Sequence, residues 1–180
     1  MKLTSRDVVL AALIAALYAS LVIVLPFISF FIWQVRIADS LIPLSTVYGI
    51  PAVLGVTIGC FIGNIIGAPW GSLALGLIDA IFGSIANFIA SYIAYKLAYK
   101  TESKMRILIA CTSSTLIITL IVGSYLPLLM KAIGLEVPIW LGWLGVLPGS
   151  IISIIIIGFN LVIFIKRVQK HILSANPQGT

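Results

Sequence analysis

Long uninterrupted apolar runs dominate the chain, separated by short polar or basic stretches. Four of these runs reach the roughly 20 residues that a helix needs to cross a bilayer. They cover residues 8–31, 72–95, 107–130 and 139–165. Because lipid cannot hydrogen-bond to the backbone, such runs are expected to be α-helices, in which each peptide group is paired internally. The pattern predicts an all-α, polytopic membrane protein.

Residues 39–66 form a fifth apolar stretch of ambiguous length. Its 28 residues are long for one membrane-spanning helix and short for two, and Gly49 and Pro51 interrupt it. Two short passes here give six helices and place nine of the eleven Lys and Arg residues on one side of the membrane. Those nine are Lys2, Arg6, Lys96, Lys100, Lys104, Arg106, Lys166, Arg167 and Lys170. Since cytoplasmic loops are enriched in Lys and Arg, six transmembrane helices with both termini in the cytoplasm are predicted.

Composition narrows the class further. The 180 residues are 61% hydrophobic and only 9% charged, which excludes a soluble enzyme, a disordered regulator and a disulfide-stapled secreted module. The net charge of +6 reports membrane orientation and not nucleic-acid binding. We expect one transmembrane domain over residues 1–173, followed by a polar, disordered tail over 174–180.

The chain lacks the motifs of an enzyme. It has no Gly-rich phosphate loop, no His and Glu metal cluster and no Ser/His/Asp set, so no catalysis, metal or cofactor is expected. Cys60 and Cys111 lie within apolar runs and are interpreted as small buried residues, and His171 belongs to a basic C-terminal segment. A chain with a ligand site but no energy source is either a channel or one subunit of a larger machine.

Asp79 is the leading candidate for a functional residue, because ionisable groups at membrane depth are costly and tend to mark function. Gly76, Gly83 and Asn87 share its helical face, which would line a cavity or a polar contact between helices. A purely structural role, in which Asp79 pairs with Arg36 or with a hydroxyl group, is the alternative.

Other polar and aromatic residues gather toward the outer leaflet. Arg36 and Asp39 are three residues apart and are expected at the outer membrane edge, where they could pair. Three amides lie inside apolar runs and need hydrogen-bond partners; they are Asn64, Asn87 and Asn160. Four tryptophans, Trp33, Trp70, Trp140 and Trp143, fall near outer helix ends. They form an interfacial belt or stack on a planar ligand, and the whole set predicts an outward-opening pocket for a small, flat, polar molecule.

Several helices carry small residues at every fourth position, which places them on one face. The first helix has Ala11, Ala15 and Ala19, with Ala12 and Ala16 beside them. The third has Gly55, Gly59, Gly63 and Gly67, and the fifth has Cys111, Thr115, Thr119 and Gly123. Small faces let helices approach closely in lipid, and one that remains on an outer helix would contact a partner.

Four segments in the first half of the chain resemble the QueT family, substrate-binding S components of energy-coupling factor (ECF) transporters. They are Thr4-Ser5-Arg6-Asp7, Trp33-Gln34-Val35-Arg36-Ile37-Ala38-Asp39-Ser40-Leu41, Gly59-Cys60-Phe61-Ile62-Gly63-Asn64 and Asp79-Ala80-Ile81-Phe82-Gly83-Ser84. The resemblance implies a six-helix S-component bundle in a prokaryotic plasma membrane. It also implies docking on a transmembrane coupling subunit, and two ATPase subunits that drive release of the substrate inward. The docking face would be Ala11, Ala15 and Ala19, or the neighbouring Ala12 and Ala16.

The implied cargo is a queuosine precursor, a 7-deazaguanine such as its aminomethyl form. The carboxylate of Asp79 would accept hydrogen bonds from the guanine-like edge, and Asp39 or Glu136 would pair with a protonated aminomethyl group. The resemblance also implies that Asn64 and Asn87 hydrogen-bond to the remaining edges of the ring and that Trp140 or Trp143 stacks on its face. It further implies a lid over the pocket that carries Trp33 and Arg36. Asp39 stands where the family is expected to have Glu. Other cargoes (thiamine, biotin or tryptophan) and a homo-oligomeric channel are the alternatives.

Overall fold

A computed structural model describes residues 3–175, and the elements in this range are helical. In chain order they are α1 (Ser5–Val24), α2 (Pro26–Ser29), a 3-10 segment (Ile37–Leu44), α3 (Ser45–Tyr48), α4 (Ile50–Gly67), α5 (Leu73–Ala98), α6 (Lys104–Ala132), α7 (Ile139–Ser150), a π segment (Ile151–Gly158) and α8 (Phe159–Ala175). Five helical stretches are long and apolar enough to cross a membrane, in agreement with the predicted helical membrane bundle. Residues 176–180 of the predicted disordered tail lie outside the described range.

The first helix is shorter than its apolar run indicates. A reciprocal pair of hydrogen bonds between Thr4 and Asp7 caps its start. The prediction of one helix over 8–31 is wrong, because α1 ends at Val24 and the chain turns into α2 at Pro26. Proline has no backbone N–H and its ring crowds the preceding turn, which disfavours continuation of the helix at this position.

The 3-10 segment and α3 form a short pass through the middle of the bundle. Eight residues at 2.0 Å and four at 1.5 Å give a length of about 22 Å, less than the roughly 30 Å hydrocarbon core. The 3-10 segment contacts α1, α4, α5, α6, the π segment and α8, which places it at the centre. Polar residues held here are consequently enclosed by helices on all sides.

Residues 37–48 return the chain to the end of the bundle where α1 begins. At the end of α3, Gly49 adopts φ +67° and lies against the ring of Tyr99, which follows α5. The backbone N–H of Lys100 donates to the carbonyl of Thr46 at 2.8 Å. Tyr48 and Tyr99 line one cavity of about 1000 Å³ together with residues 4–7 of the α1 terminus. The positive φ, which glycine adopts without steric cost, allows the chain to reverse directly into α4.

The last apolar stretch ends at this same end of the bundle. Its α7, π segment and α8 follow one another without a break. The Nζ of Lys166 donates to the carbonyl of Thr101 at 2.7 Å, and the Nζ of Lys170 lies 2.6 Å from a carboxylate oxygen of Glu102. The loop between α5 and α6 is thereby tied to α8.

Glycine faces bring two pairs of segments into close contact. An added Cβ at Gly59 would lie 2.7 Å from the carbonyl oxygen of Ala15, so α4 packs directly on the α1 backbone. On α7, an added Cβ at Gly145 would meet the carbonyl oxygen of Ile32 at 2.5 Å. At Gly149 it would overlap the carbonyl oxygen of Gln34. The segment of residues 32–35 therefore packs against α7, and Arg36 follows it directly.

Candidate functional site

Asp79 lies in the interior of the bundle and is held by donors from two other elements. Only 1% of it is exposed. Its Oδ2 accepts from the Nε1 of Trp70 at 2.9 Å, and its Oδ1 accepts from the hydroxyl of Tyr125 at 2.7 Å. Trp70 comes from the turn between α4 and α5, whereas Tyr125 comes from α6. Each carboxyl oxygen of Asp79 therefore has one hydrogen-bond partner within the bundle.

Arg36 and Asp39 form the second part of the polar interior. They are 6% and 4% exposed, so both side chains are buried inside the bundle and do not lie on its surface. The reason is the 3-10 segment, which turns the chain into the bundle immediately after Arg36. Asp39 accepts a hydrogen bond from the hydroxyl of Tyr18 on α1.

The Arg36 guanidinium makes several contacts of different kinds. Its Nε donates to the carbonyl of Ser29 at 3.2 Å, and its Nη1 lies 3.8 Å from the Sγ of Cys60. Its central carbon is 5.2 Å from the centroid of the Phe30 ring. It interacts electrostatically with Asp39 and Asp79 but forms a salt bridge within 4.0 Å with neither. We call Arg36, Asp39 and Asp79 the charged cluster.

The amides of α4 and α5 lie beside this cluster at different depths. The Nδ2 of Asn64 donates to the backbone carbonyl of Asp79 at 3.2 Å, and an added Cβ at Gly83 would lie 2.8 Å from that nitrogen. Asn87 is two turns farther along α5, where its Nδ2 lies 3.5 Å from the carbonyl of Val56. Asn64 therefore contacts the Asp79 turn directly, whereas Asn87 holds α4 and α5 together at a deeper level.

Three aromatic residues cover the charged cluster at one end. The ring centroid of Trp70 is 6.2 Å from those of Phe30 and Phe31, both in edge-on arrangements. Phe31 has φ +71°, a backbone conformation that residues with a side chain rarely adopt. We call these residues the aromatic cover. Trp70 is 2% exposed and is therefore part of the interior, which corrects its interpretation as an interfacial residue.

Five predicted site residues lie away from this cluster. Trp33, Trp140 and Trp143 are 70%, 57% and 40% exposed, and Glu136 is exposed in the turn before α7. The Nε1 of Trp143 donates to the hydroxyl of Ser124. Asn160 is also exposed, and its Nδ2 donates to the carbonyl of Ile156 in its own helix. The structure thus brings together Arg36, Asp39, Asn64 and Asp79, with Asn87 nearby.

Sequence reasoning missed the residues that hold the charged groups in place. They are Tyr18, Phe30, Cys60 and Tyr125, while Trp70 was considered only as a belt or stacking residue and not as a partner of Asp79. A sequence signal existed for Trp70, which sits in the Gly- and Pro-rich turn nine residues before Asp79. The two tyrosines gave no such signal, because a tyrosine inside an apolar run is also typical of an ordinary membrane helix.

The alanines of α1 divide into a packed set and an exposed set. Ala15 and Ala19 are buried, and α4 approaches them at Gly59 and Gly63. Ala12 and Ala16 are exposed. All four, with Ala11, line an apolar groove of about 480 Å³ whose other wall is α4 residues Leu54, Ile58 and Ile62. We call this the alanine groove.

Comparison with known proteins identifies a family. The family model described as QueT transporter matches residues 8–167, which covers most of the chain and includes the whole charged cluster. This match confirms the resemblance carried by the four sequence segments. No curated protein and no solved structure shows significant similarity to the chain.

Proposed function

The chain belongs to the QueT transporter family, and from this premise we propose that it is the cargo-capturing S component of an ECF importer. The proposed cargo is a queuosine precursor of the 7-deazaguanine class. Transport fits the five long apolar helices, which indicate a multi-pass membrane protein.

The buried charged cluster is the observation that carries the cargo proposal. One arginine and two aspartates sum to a formal charge of −1 inside a membrane bundle. An uncompensated buried charge is strongly unfavourable, so a cationic ligand is favoured at this place. An aminomethyl-7-deazaguanine supplies one positive charge on the aminomethyl group together with a flat, donor-rich ring.

The two acids have distinct proposed roles. Asp79 has two acceptor oxygens, which now accept hydrogen bonds from Trp70 and Tyr125. A guanine-like N–H edge offers donors of the same kind. We assign that edge to Asp79, with the cargo replacing these donors. Asp39 is the acid that pairs with the aminomethyl group, since it is buried in the bundle interior whereas Glu136 is exposed. Asp39 has a shorter side chain than the Glu expected at this position, and it accepts a hydrogen bond from the hydroxyl of Tyr18 on α1.

Partner docking is proposed on the alanine groove. The α1 helix is the least enclosed candidate span, with 28% of its apolar window buried against 39–50% for the others. Ala12 and Ala16 are exposed one turn apart on its surface, where another membrane helix can approach closely. We propose that a transmembrane coupling subunit docks here and that two ATPase subunits drive inward release.

The proposed orientation has six passes, with both termini in the cytoplasm of a prokaryotic cell. Residues 37–48 provide the short sixth pass. The start of α1, the loop after α5 and the end of α8 meet at one end of the bundle. This end carries most of the described cations, which supports its placement on the inner side.

Titration of the detergent-purified protein with 7-aminomethyl-7-deazaguanine tests the function. Trp70 donates to Asp79, so its fluorescence should report cargo binding directly. We expect saturable binding by the wild type, loss of at least 100-fold in affinity for Asp79→Asn and Asp39→Asn, and no change for the matched Glu136→Gln control. If the protein instead bound thiamine, biotin or tryptophan saturably, the proposed role as a capture subunit would stand and the proposed cargo would be wrong.

A further inference from the structure

A cavity of about 1000 Å³ lies at the end of the bundle where α1 begins. Its walls come from the first part of α1, from α3 and from Tyr99, which follows α5. Along α1 it extends from Thr4 to Leu13, whereas Tyr18 is the α1 residue that contacts Asp39. The cavity is therefore separate from the charged cluster, and its volume falls within the range of about 300–1,000 Å³ typical of ligand sites. We call it the inner cavity.

The lining of the inner cavity changes from polar to apolar along α1. Polar residues line it at the start of the helix and apolar residues farther on, in the order Thr4, Ser5, Arg6, Val9, Leu10 and Leu13. Leu13 is seven residues beyond Arg6, which is about 10 Å along the helix axis. The interfacial region of a bilayer is about 5–8 Å thick on each side. This lining therefore extends from the headgroup level into the hydrocarbon, which suits a ligand with a polar head and an apolar chain.

The opposite wall of the inner cavity is held in place by backbone contacts. Tyr48 and Tyr99 line this wall. An added Cβ at Gly49 would lie 2.9 Å from the Tyr99 ring, so the ring packs on the turn after α3. The backbone N–H of Lys100 donates to the carbonyl of Thr46 at 2.8 Å. The cavity is thus preformed, and tyrosine is a residue type enriched at the membrane–water interface.

Two cations stand near the polar end of the inner cavity. Arg6 lines it and forms no salt bridge within 4.0 Å in the described part of the chain. The Nζ of Lys100 is 5.2 Å from the ring centroid of Tyr99. Asp7 also lines the cavity, but its Oδ2 accepts from the backbone N–H and the hydroxyl of Thr4 at 2.9 and 2.8 Å and so caps α1. These three charged side chains sum to a formal charge of +1, which favours an anionic occupant.

We propose that the inner cavity binds one anionic phospholipid of the inner leaflet, with its phosphate at Arg6 and an acyl chain along Val9 and Leu13. This inference goes beyond the proposed function and rests only on its orientation, which places this end of the bundle on the cytoplasmic side. Basic pockets between membrane helices on that side are typical sites for anionic headgroups. The bound lipid would join the start of α1 to the turn after α3 and to the end of α5.

Native mass spectrometry of the detergent-purified protein tests the charged half of the site by counting bound lipids. Phosphatidylglycerol, which carries a net negative charge, should bind as one molecule per chain and about fivefold more tightly than zwitterionic phosphatidylcholine. Arg6→Gln should weaken phosphatidylglycerol binding about fivefold. Arg106→Gln is the matched control, because Arg106 is an exposed arginine at the same end that does not line the cavity. This control should stay within about twofold of the wild type.

Val9→Trp tests the apolar half of the site by filling the space assigned to the acyl chain. Val9 is 58% exposed, so the larger ring is compatible with the fold. Phosphatidylglycerol binding should weaken about tenfold. Val8→Trp is the matched control, since Val8 is 55% exposed and lines the alanine groove on another side of α1. It should bind the lipid with wild-type affinity.

Three results would overturn the lipid site. The first is equal wild-type affinity for the two lipids, and the second is equal loss in Arg6→Gln and Arg106→Gln, which indicates general attraction to the basic end. The third is unchanged lipid binding by Val9→Trp together with loss of co-purification with the coupling subunit, which would assign the cavity to a protein partner. Cargo affinity should be unchanged in all four variants, so failure of the lipid site leaves the proposed function standing. Absence of cargo binding by the wild type would likewise leave the lipid site standing.

Discussion

Tyr125→Phe isolates the hydrogen bond between α6 and the buried Asp79 carboxylate. The substitution deletes one oxygen and keeps the ring, which packs on Phe82 with a centroid separation of 5.6 Å. The lost bond is 2.7 Å long and joins two buried groups. A hydrogen bond to a charged group contributes about 1.5–3 kcal/mol. For a chain of this size each kcal/mol corresponds to about 2–4 °C, so the melting temperature should fall by about 3–12 °C.

The assay is thermal unfolding of the detergent-purified protein, followed by loss of the monodisperse peak. Tyr92→Phe is the matched control on α5, since its hydroxyl makes no hydrogen bond within the described part of the chain. In an Asp79→Asn background, Tyr125→Phe should cost much less, because the acceptor charge has gone. A melting temperature for Tyr125→Phe within 2 °C of the Tyr92→Phe control would refute this account of the site.

Two further predictions concern the surface of the bundle. Ala16→Leu fills the alanine groove and should abolish co-purification with the coupling subunit while cargo affinity stays unchanged, with exposed Ala132→Leu on α6 as the control. Hydrogen bonding from Lys170 holds the pKa of Glu102 below its ordinary value, so the tie between the α5–α6 loop and α8 is complete at neutral pH. It should be lost as the pH falls through that lowered pKa. The protection of the residue 99–103 amides from hydrogen exchange, measured against their intrinsic rate at each pH, should therefore fall at low pH, and Glu102→Gln should show the reduced protection already at pH 7.

Much of the architecture could be predicted from apolar periodicity. In lipid, the backbone groups of a run of more than 20 apolar residues must hydrogen-bond to one another, which requires a helix. The long helices therefore lie close to the expected residues. The break at Gly49 was also visible, since glycine and proline interrupt a helix for local reasons. The end of α1 at Val24 could have been read from Pro26, yet the apolar run beyond it obscured the break.

The candidate site was only partly predictable. Asp79 stood out because an acid inside an apolar run is costly wherever the helix packs. Its partners Trp70 and Tyr125 are 9 and 46 residues away along the chain. Contacts over such separations depend on which helices are neighbours, and hydropathy carries no information about that.

Sequence by itself therefore determined the membrane class, the long helices and the unusual positions of a few charges. Tertiary structure alone decided that Arg36 and Asp39 turn inward beside Asp79 and that Glu136, Trp140 and Trp143 remain exposed. It also decided which alanines of α1 pack on glycines and which face outward. The physical reason is that burial in lipid acts on each segment separately, whereas a polar site requires side chains from several segments to satisfy one another at hydrogen-bond distance.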